Sequence, residues 1–413
     1  MFTREGPGER EIRNLMRKLL LLASMASLAL LSPGGACFGD TFRHRQRDEV
    51  LHGYAVGEAD GVETMVHTAE KGVLKLNLAE WEVVADRLGR NNKVIILTID
   101  DDMMFEIETQ ALEEAVGAAA REGPLFILLE IDTPGGRTDL VQRMCGAIVG
   151  TGTCEVFAFV KGGPNGGAIS AGAAVALACD KIYMANNTCI GAATVIALSE
   201  KGPKDLKSTF GEAVGEKFSS VWEAYLASLA EQNSRPGLLA RAMIDKDIEV
   251  IEVSEADRKL FIEPVNRRPQ HRLVHTWSQK GSLLTLTAAE AVKCGIGDGV
   301  VNSRAELLRG LDAVGAEIVM NNDMQKAREE LRRARGQLNR IRKSIDLKVK
   351  QSGQRLPRPK VLKILRSARA EFKTLIKLAK EYPDLGLDIK VLEDELNTIE
   401  VNYQQVKMGS RRR

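Results

Sequence analysis

At 413 residues the chain is long enough for two domains, or for one large core with appendages. Its 44% hydrophobic and 28% charged residues are those of an ordinary soluble protein. The net charge of +2 hides an asymmetry: residues 321–413 hold 24 Lys/Arg against 12 Asp/Glu, so the tail is basic and the remainder acidic. A basic tail can meet nucleic acid, anionic lipid or an acidic protein face, and it can equally be a solvated helical surface.

The N-terminus carries a targeting signal. Arg17-Lys18 precede a mostly apolar stretch from Leu19 to Leu31, followed by Ser32-Pro33-Gly34-Gly35-Ala36-Cys37. Such a stretch suits a secretory h-region and is short for a membrane span, which predicts export with a signal peptide or retained anchor over 1–37. The residues before Met16 are highly charged, and Met16-Arg17-Lys18 reads as the start of the signal. Gly35-Ala36-Cys37 is a weak lipidation motif, because Gly34 stands where leucine is expected. The expected location is periplasmic, or membrane-associated through the N-terminus. Cysteines 37, 145, 154, 179, 189 and 294 show no CxxC pair and no metal-ligand spacing. Four of them fall in core elements and read as small buried hydrophobes. Neither a metal nor a cofactor is predicted.

Residues 38–92 read as a loose N-terminal extension with one strand–turn unit around Lys71–Asn77. A regular α/β pattern follows. Strands are predicted over 93–100, 125–131, 155–160 and 181–185, and helices over 106–122 and 138–151. Leu140, Met144 and Ile148 give the second helix one apolar face. Further helices are read at about 212–232, 238–243, 285–295 and 304–311, with a polar excursion over 254–283. Strands alternating with helices imply parallel crossovers and a layered core over 93–312. The tail from 321 to 413 is predicted as three helices, over 324–349, 361–381 and 389–406. The spacing of Leu362, Leu365, Ala368, Phe372 and Ile376 suits a helical hairpin or short coiled coil, serving a partner or oligomerisation, or simply stability.

Two segments carry the chemistry. Ile131-Asp132-Thr133-Pro134-Gly135-Gly136 ends an apolar strand in a tight turn, which can aim free backbone N–H groups into a crevice. Gly166-Gly167-Ala168-Ile169-Ser170-Ala171-Gly172 places a serine at the head of a small-residue helix, where positive potential favours a developing oxyanion. Together they predict a nucleophile facing its oxyanion hole. The alternative for Ser170 is a small residue easing helix packing.

These two motifs, with Ile190-Gly191-Ala192-Ala193, Tyr225–Ala230, Met243–Glu249 and Leu286–Gly295, resemble the ClpP-class serine proteases of the NfeD type, relatives of signal peptide peptidase A. The resemblance runs in order through roughly residues 70–312. It implies an α/β fold of the ClpP/crotonase kind, with repeated ββα units and a C-terminal α-helical hairpin or coiled-coil appendage. It further implies an oligomer and a Ser–Lys peptidase acting on hydrophobic peptide segments or a membrane-protein substrate. Carried over by position, Ser170 matches the nucleophile, the N–H groups of Gly135 and Ala171 match the oxyanion hole, and Gly136 permits the turn.

The base departs from the pattern. Archaeal relatives place a lysine where this chain has Ala227. Lys217 is the substitute considered, but it lies ten residues earlier, roughly 15 Å along the helix. Lys201, Lys204 and Lys207 are rivals, each also readable as a solvated charge. A histidine base is the lesser reading, since His44, His52, His67, His271 and His275 lie off the core elements near Ser170. The basic helical tail also stands where long NfeD-type chains continue into membrane helices and a β-barrel. Two other functions therefore stay open: a catalytically impaired Clp-like scaffold binding a protein partner through residues 321–413, and a crotonase-like acyl-CoA enzyme. No nucleic-acid partner is expected.

Overall fold

The computed structural model describes residues 40–55, 63–68, 71–77, 79–84, 91–152, 154–199, 202–256, 258–311, 313 and 316–409. The signal-like stretch, Cys37 and Lys201 lie outside these residues.

The N-terminal extension is an antiparallel sheet. Strands β1 (Asp40–His44), β2 (Val50–Ala55), β3 (Glu63–Thr68), β4 (Gly72–Asn77) and β5 (Trp81–Val84) pair in the order β4-β3-β2-β1-β5. Phe42, Leu51, Val66, Leu76 and Trp81, one from each strand, form its small core. So sparse an apolar pattern among charged neighbours is why only the Lys71–Asn77 unit was legible.

The main body follows in chain order. β6 (Asn91–Ile99), α1 (Glu106–Glu122), β7 (Pro124–Ile131), α2 (Thr138–Val149) and β8 (Glu155–Val160) begin it. β9 (Gly167–Ile169), α3 (Ala171–Ala178), β10 (Lys181–Met184) and β11 (Cys189–Gly191) come next. A hairpin, β12 (Ile196–Ser199) and β13 (Gly202–Asp205), leads into α4 (Leu206–Phe210), α5 (Glu212–Gln232) and α6 (Gly237–Ala242). The predicted excursion is instead a three-stranded antiparallel sheet of β14 (Val250–Glu255), β15 (Arg258–Ile262) and β16 (Arg272–Ser278). β17 (Thr285–Thr287), α7 (Ala288–Cys294), β18 (Gly299–Val300), α8 (Arg304–Gly310) and β19 (Glu317–Asn321) complete the body.

The central sheet is six-stranded and wholly parallel, in the order β18-β10-β8-β7-β6-β19. Every residue of β7 is buried, as a strand covered on both faces requires. A side sheet, β17-β11-β9, runs beside it. Thr133 bridges to Ala168 of β9, and β9 pairs in parallel with β11. Thus β7, β8 and β10 each feed a short segment that joins the side sheet. This is the ββα repeat that the resemblance implied.

The tail is helical, as read. α9 (Asp323–Ser352), α10 (Arg358–Glu381) and α11 (Ile389–Met408) share a core of Leu338, Ile345, Leu365, Ala368, Phe372, Leu375, Leu392 and Ile399. The first turns of α9 belong to the main body, for Met324 is part of the large core cluster. No helix among the described residues is long and apolar enough to cross a membrane.

Cys145, Cys154, Cys179 and Cys294 are buried free thiols, and Cys189 is a partly buried one. Burial pushes the Cys145 thiol up to about 12 and that of Cys294 to about 11. They act as small core residues.

Candidate active site

Ser170 sits at the N-cap of α3 with φ 56° and ψ −125°, a backbone conformation rare for a residue with a Cβ. Such strain costs about 1–3 kcal/mol and persists only where neighbours over-determine it. Here they do. The Ser170 N–H donates to Gly191 O at 2.9 Å, and the preceding Ile169 N–H donates to Thr133 O at 3.1 Å. Behind the serine, Gly172 packs so closely that an added Cβ would stand 2.5 Å from Thr133 Cγ2. The side sheet therefore fixes the serine, and the small-residue helix follows from the space available.

The Asp132–Gly136 motif is the partner of this turn. The buried Asp132 carboxylate accepts from Gly167 N–H at 3.1 Å and from Asn165 N–H at 3.2 Å. It ties the first motif to the second. Thr133 Oγ1 donates to Asp101 O at 2.7 Å, anchoring the turn to the β6–α1 segment. Sequence reasoning gave neither side chain a role, although both lie inside the motif; their acceptors and donors come from other elements. Gly135, at φ 121°, leaves room where a Cβ would approach Ser170 Cβ to 2.6 Å.

The amides divide in a way the sequence did not indicate. Gly135 N–H donates to Thr133 Oγ1 at 3.1 Å, so it has an internal acceptor. Among the described residues, the N–H groups of Gly136 and Ala171 donate to no acceptor. Gly136 has a second constraint besides permitting the turn, since its Cα faces Met103 with no room for a side chain.

These residues line a cleft of about 390 Å³. Pro134, Gly135, Gly136, Ser170 and Ala171 form one wall, and Met104, Val195, Ile196 and Trp222 supply apolar surface. The opposite wall is held by Trp222 Nε1–H donating to Ala193 O at 3.1 Å and by Ala193 N–H donating to Met243 O. Charged groups in the lining are Asp102, Arg137 and Asp139. Arg137 donates to Asp139 at 2.6 Å and holds that carboxyl below its usual range. Burial, and then Asp101, push Asp102 up.

No lysine or histidine is among the lining residues described. Lys217 is exposed, on α5. It stands five residues before the cleft residue Trp222, about 140° around the helix from it. The structure thus gives Lys217 no place beside Ser170, because the helix turns that position outward. Ala227, which the resemblance sets against the archaeal lysine, is 2% exposed. Lys204 is exposed on β13, and the side chain of Lys207 is outside what is described. His44 packs edge-on against Trp81, while His271 accepts from Arg268 N–H at 3.1 Å. Both serve other parts of the fold.

Residues 93–266 match the family described as NfeD1b, N-terminal domain. Membrane protein NfeD1b of Bacillus subtilis is 30% identical over 210 residues, covering 51% of this chain and 38% of that protein. Membrane-bound protease PH1510 of Pyrococcus horikoshii is 33% identical over 133 residues, covering 32% of this chain and 28% of that protein. The chain therefore spans well under half the length of either relative. Among solved structures, a lysine variant of the 1510-N membrane-bound stomatin-specific protease, in complex with a substrate peptide, shares 23% identity at a TM-score of 0.42. That match covers 57% of this chain and 93% of that one. A 1510-N membrane protease specific for a stomatin homolog from Pyrococcus horikoshii gives 21% identity and a TM-score of 0.35, over 56% of this chain and 92% of that one. Residues 93–266 are thus similar to the N-terminal domain of NfeD1b, in line with the resemblance carried by the motifs around Asp132 and Ser170.

Proposed function

We propose that the Ser170 cleft is a serine peptidase site that accepts an extended peptide or membrane-protein segment with apolar side chains. The observation that carries this reading is the strained Ser170 at a helix N-terminus, backed by Gly135, beside two amides that have no acceptor among the described residues. In the reaction, Ser170 Oγ attacks the scissile carbonyl carbon and its proton passes to a base. The tetrahedral oxyanion is received by Ala171 N–H and an amide of the Gly135-Gly136 turn. Collapse expels the amine and leaves an acyl-enzyme, which water then hydrolyses. Met104, Val195, Ile196 and Trp222 suit apolar substrate side chains. Export and membrane association through the N-terminal segment, an oligomeric state, and a protein partner for residues 321–413 belong to the same reading.

A second reading, a catalytically impaired scaffold that binds peptides in the same cleft, is favoured by a specific observation. Serine needs a proton acceptor, and the position matched to the archaeal lysine is a buried alanine. A fluorophosphonate probe separates the two. Labelling of the full chain that disappears in Ser170→Ala supports a reactive serine. No Ser170-dependent labelling between pH 7 and 10 sinks the peptidase and leaves the scaffold. Labelling that survives Lys217→Ala removes that lysine from the mechanism.

A further inference from the structure

The base of the helical tail meets the main body on residues 100–107. This segment runs from β6 into α1 and supplies Asp102 and Met104 to the Ser170 cleft. The contacts are directional. The two carboxylate oxygens of Asp384 accept from Glu106 N–H and Ile107 N–H, each at 2.9 Å. These are orphan donors at the start of α1, where the N-cap position is Phe105 and provides no side-chain acceptor. A residue 277 positions away in sequence therefore caps the helix. Arg328 Nε donates to the buried Glu108 at 2.6 Å, and its Nη1 reaches Asp101 at 3.2 Å. The Arg335 guanidinium lies over the Phe105 ring, 4.4 Å from its centroid.

The opposite edge of the same segment holds the glycine turn. Met103 N–H donates to Gly135 O at 2.9 Å, and Arg137 N–H donates to Met103 O at 3.0 Å. Thr133 Oγ1 bonds Asp101 O, as described. The tail, the 100–107 segment and the turn thus form one connected sequence whose last hydrogen bond, Ile169 N–H to Thr133 O, ends beside Ser170.

We infer that Asp384, Arg328 and Arg335 are positioning residues for the Ser170 cleft: the tail clamps residues 100–107 and, through Met103, sets the Gly135-Gly136 turn against the serine. The inference rests on the proposed function for what the cleft does, and on geometry for how it is held. A displacement of about 1 Å at a reacting group can cost about a hundredfold in rate, so a clamp at this distance matters. A ligand that pulled the tail from its seat would act on the cleft without entering it.

Residue-resolved hydrogen exchange on the full chain tests this. Asp384→Ala and Arg335→Ala are compared with wild type and with Arg333→Ala, whose exposed side chain pairs, among the described residues, with Glu329 of its own helix. The expected result is at least tenfold faster exchange of the Met103 and Arg137 amides in the first two variants, with the β8 amides and the control unchanged. Unchanged exchange at Met103 and Arg137 overturns the clamp. A uniform rise through the β8 amides also overturns it, since that reports general destabilisation. This readout does not depend on serine reactivity, so it stands even if wild type never labels. Where wild type does label, the same two variants are expected to label at least fivefold more slowly, and an unchanged rate counts against positioning.

Discussion

The body around Ser170 and the helical tail are held together by different physics. In the body, backbone is packed without room for a side chain: Gly167 and Gly191 face backbone atoms, and Gly135 and Gly172 face Ser170 Cβ and Thr133 Cγ2, each of which an added Cβ would overlap. Position there is set by the lack of space and by the one buried carboxylate, Asp132, that ties the two motifs. In the tail, a thin apolar seam is surrounded by ionic side chains, and Lys348–Glu371, Arg369–Glu400 and Lys380–Glu393 pair across helices. The first arrangement tolerates almost no added atom. The second tolerates most surface changes but depends on a few buried ones.

The largest expected effect lies where the two regions meet. Glu108 is fully buried, its second oxygen has no hydrogen-bond partner among the described residues, and burial raises its pKa despite Arg328. Arg328→Ala leaves that carboxylate uncompensated and is expected to cost about 3–5 kcal/mol in denaturant unfolding. The exposed Arg333→Ala is expected to change stability by no more than about 0.5 kcal/mol. If both cost the same, the contrast between seam and surface fails.

Phe372→Ala opens the tail seam and should cost about 3–5 kcal/mol. The loss should fall on the tail, so exchange in α10 and α11 rises while β7 stays protected. Spread of the change into β7 would mean that the two regions unfold as one. Gly135→Ala adds a Cβ 2.6 Å from Ser170 Cβ at a φ of 121°. A loss of about 1–3 kcal/mol is expected by thermal melting, together with loss of any Ser170 labelling. Wild-type labelling in this variant would show that the turn gives way where the packing says it cannot.

The smallest effect concerns the capping box at α7, where Thr287 and Glu290 bond each other's backbone amides. Those bonds lower the Glu290 pKa below its usual 4.5. A lowered folded pKa stabilises above the unfolded value and is lost as pH falls through the folded one. Glu290→Gln should therefore cost at most about 1 kcal/mol at pH 7, the side chain being exposed, and progressively less as pH falls below the usual carboxylate range. A difference that grows on acidification would reverse the assignment.

Much of the body was legible because its strands are long apolar runs and its helices are amphipathic. α1 and α5 appear with the bounds their periodicity gave. β9 and β11 were not legible, being three residues each, too short for any period. Yet they make the side sheet that strains Ser170. The serine and its glycine turn were readable from motif alone, whereas the division of amides between Gly135 and Gly136 depends on the Thr133 hydroxyl. The outward direction of Lys217 required the helix's rotation relative to Trp222. Asp384 capping α1 was beyond reach, because the cap and the helix are joined only in three dimensions.

The buried cysteines have a practical consequence. Thiols held up near 11 to 12 inside a packed core are almost entirely protonated and shielded at neutral pH. A maleimide or disulfide reagent should pass over Cys145, Cys179 and Cys294 while the chain is folded and modify them once it opens. The molecule thus carries built-in chemical reporters of its own opening, distributed across α2, α3's end and α7.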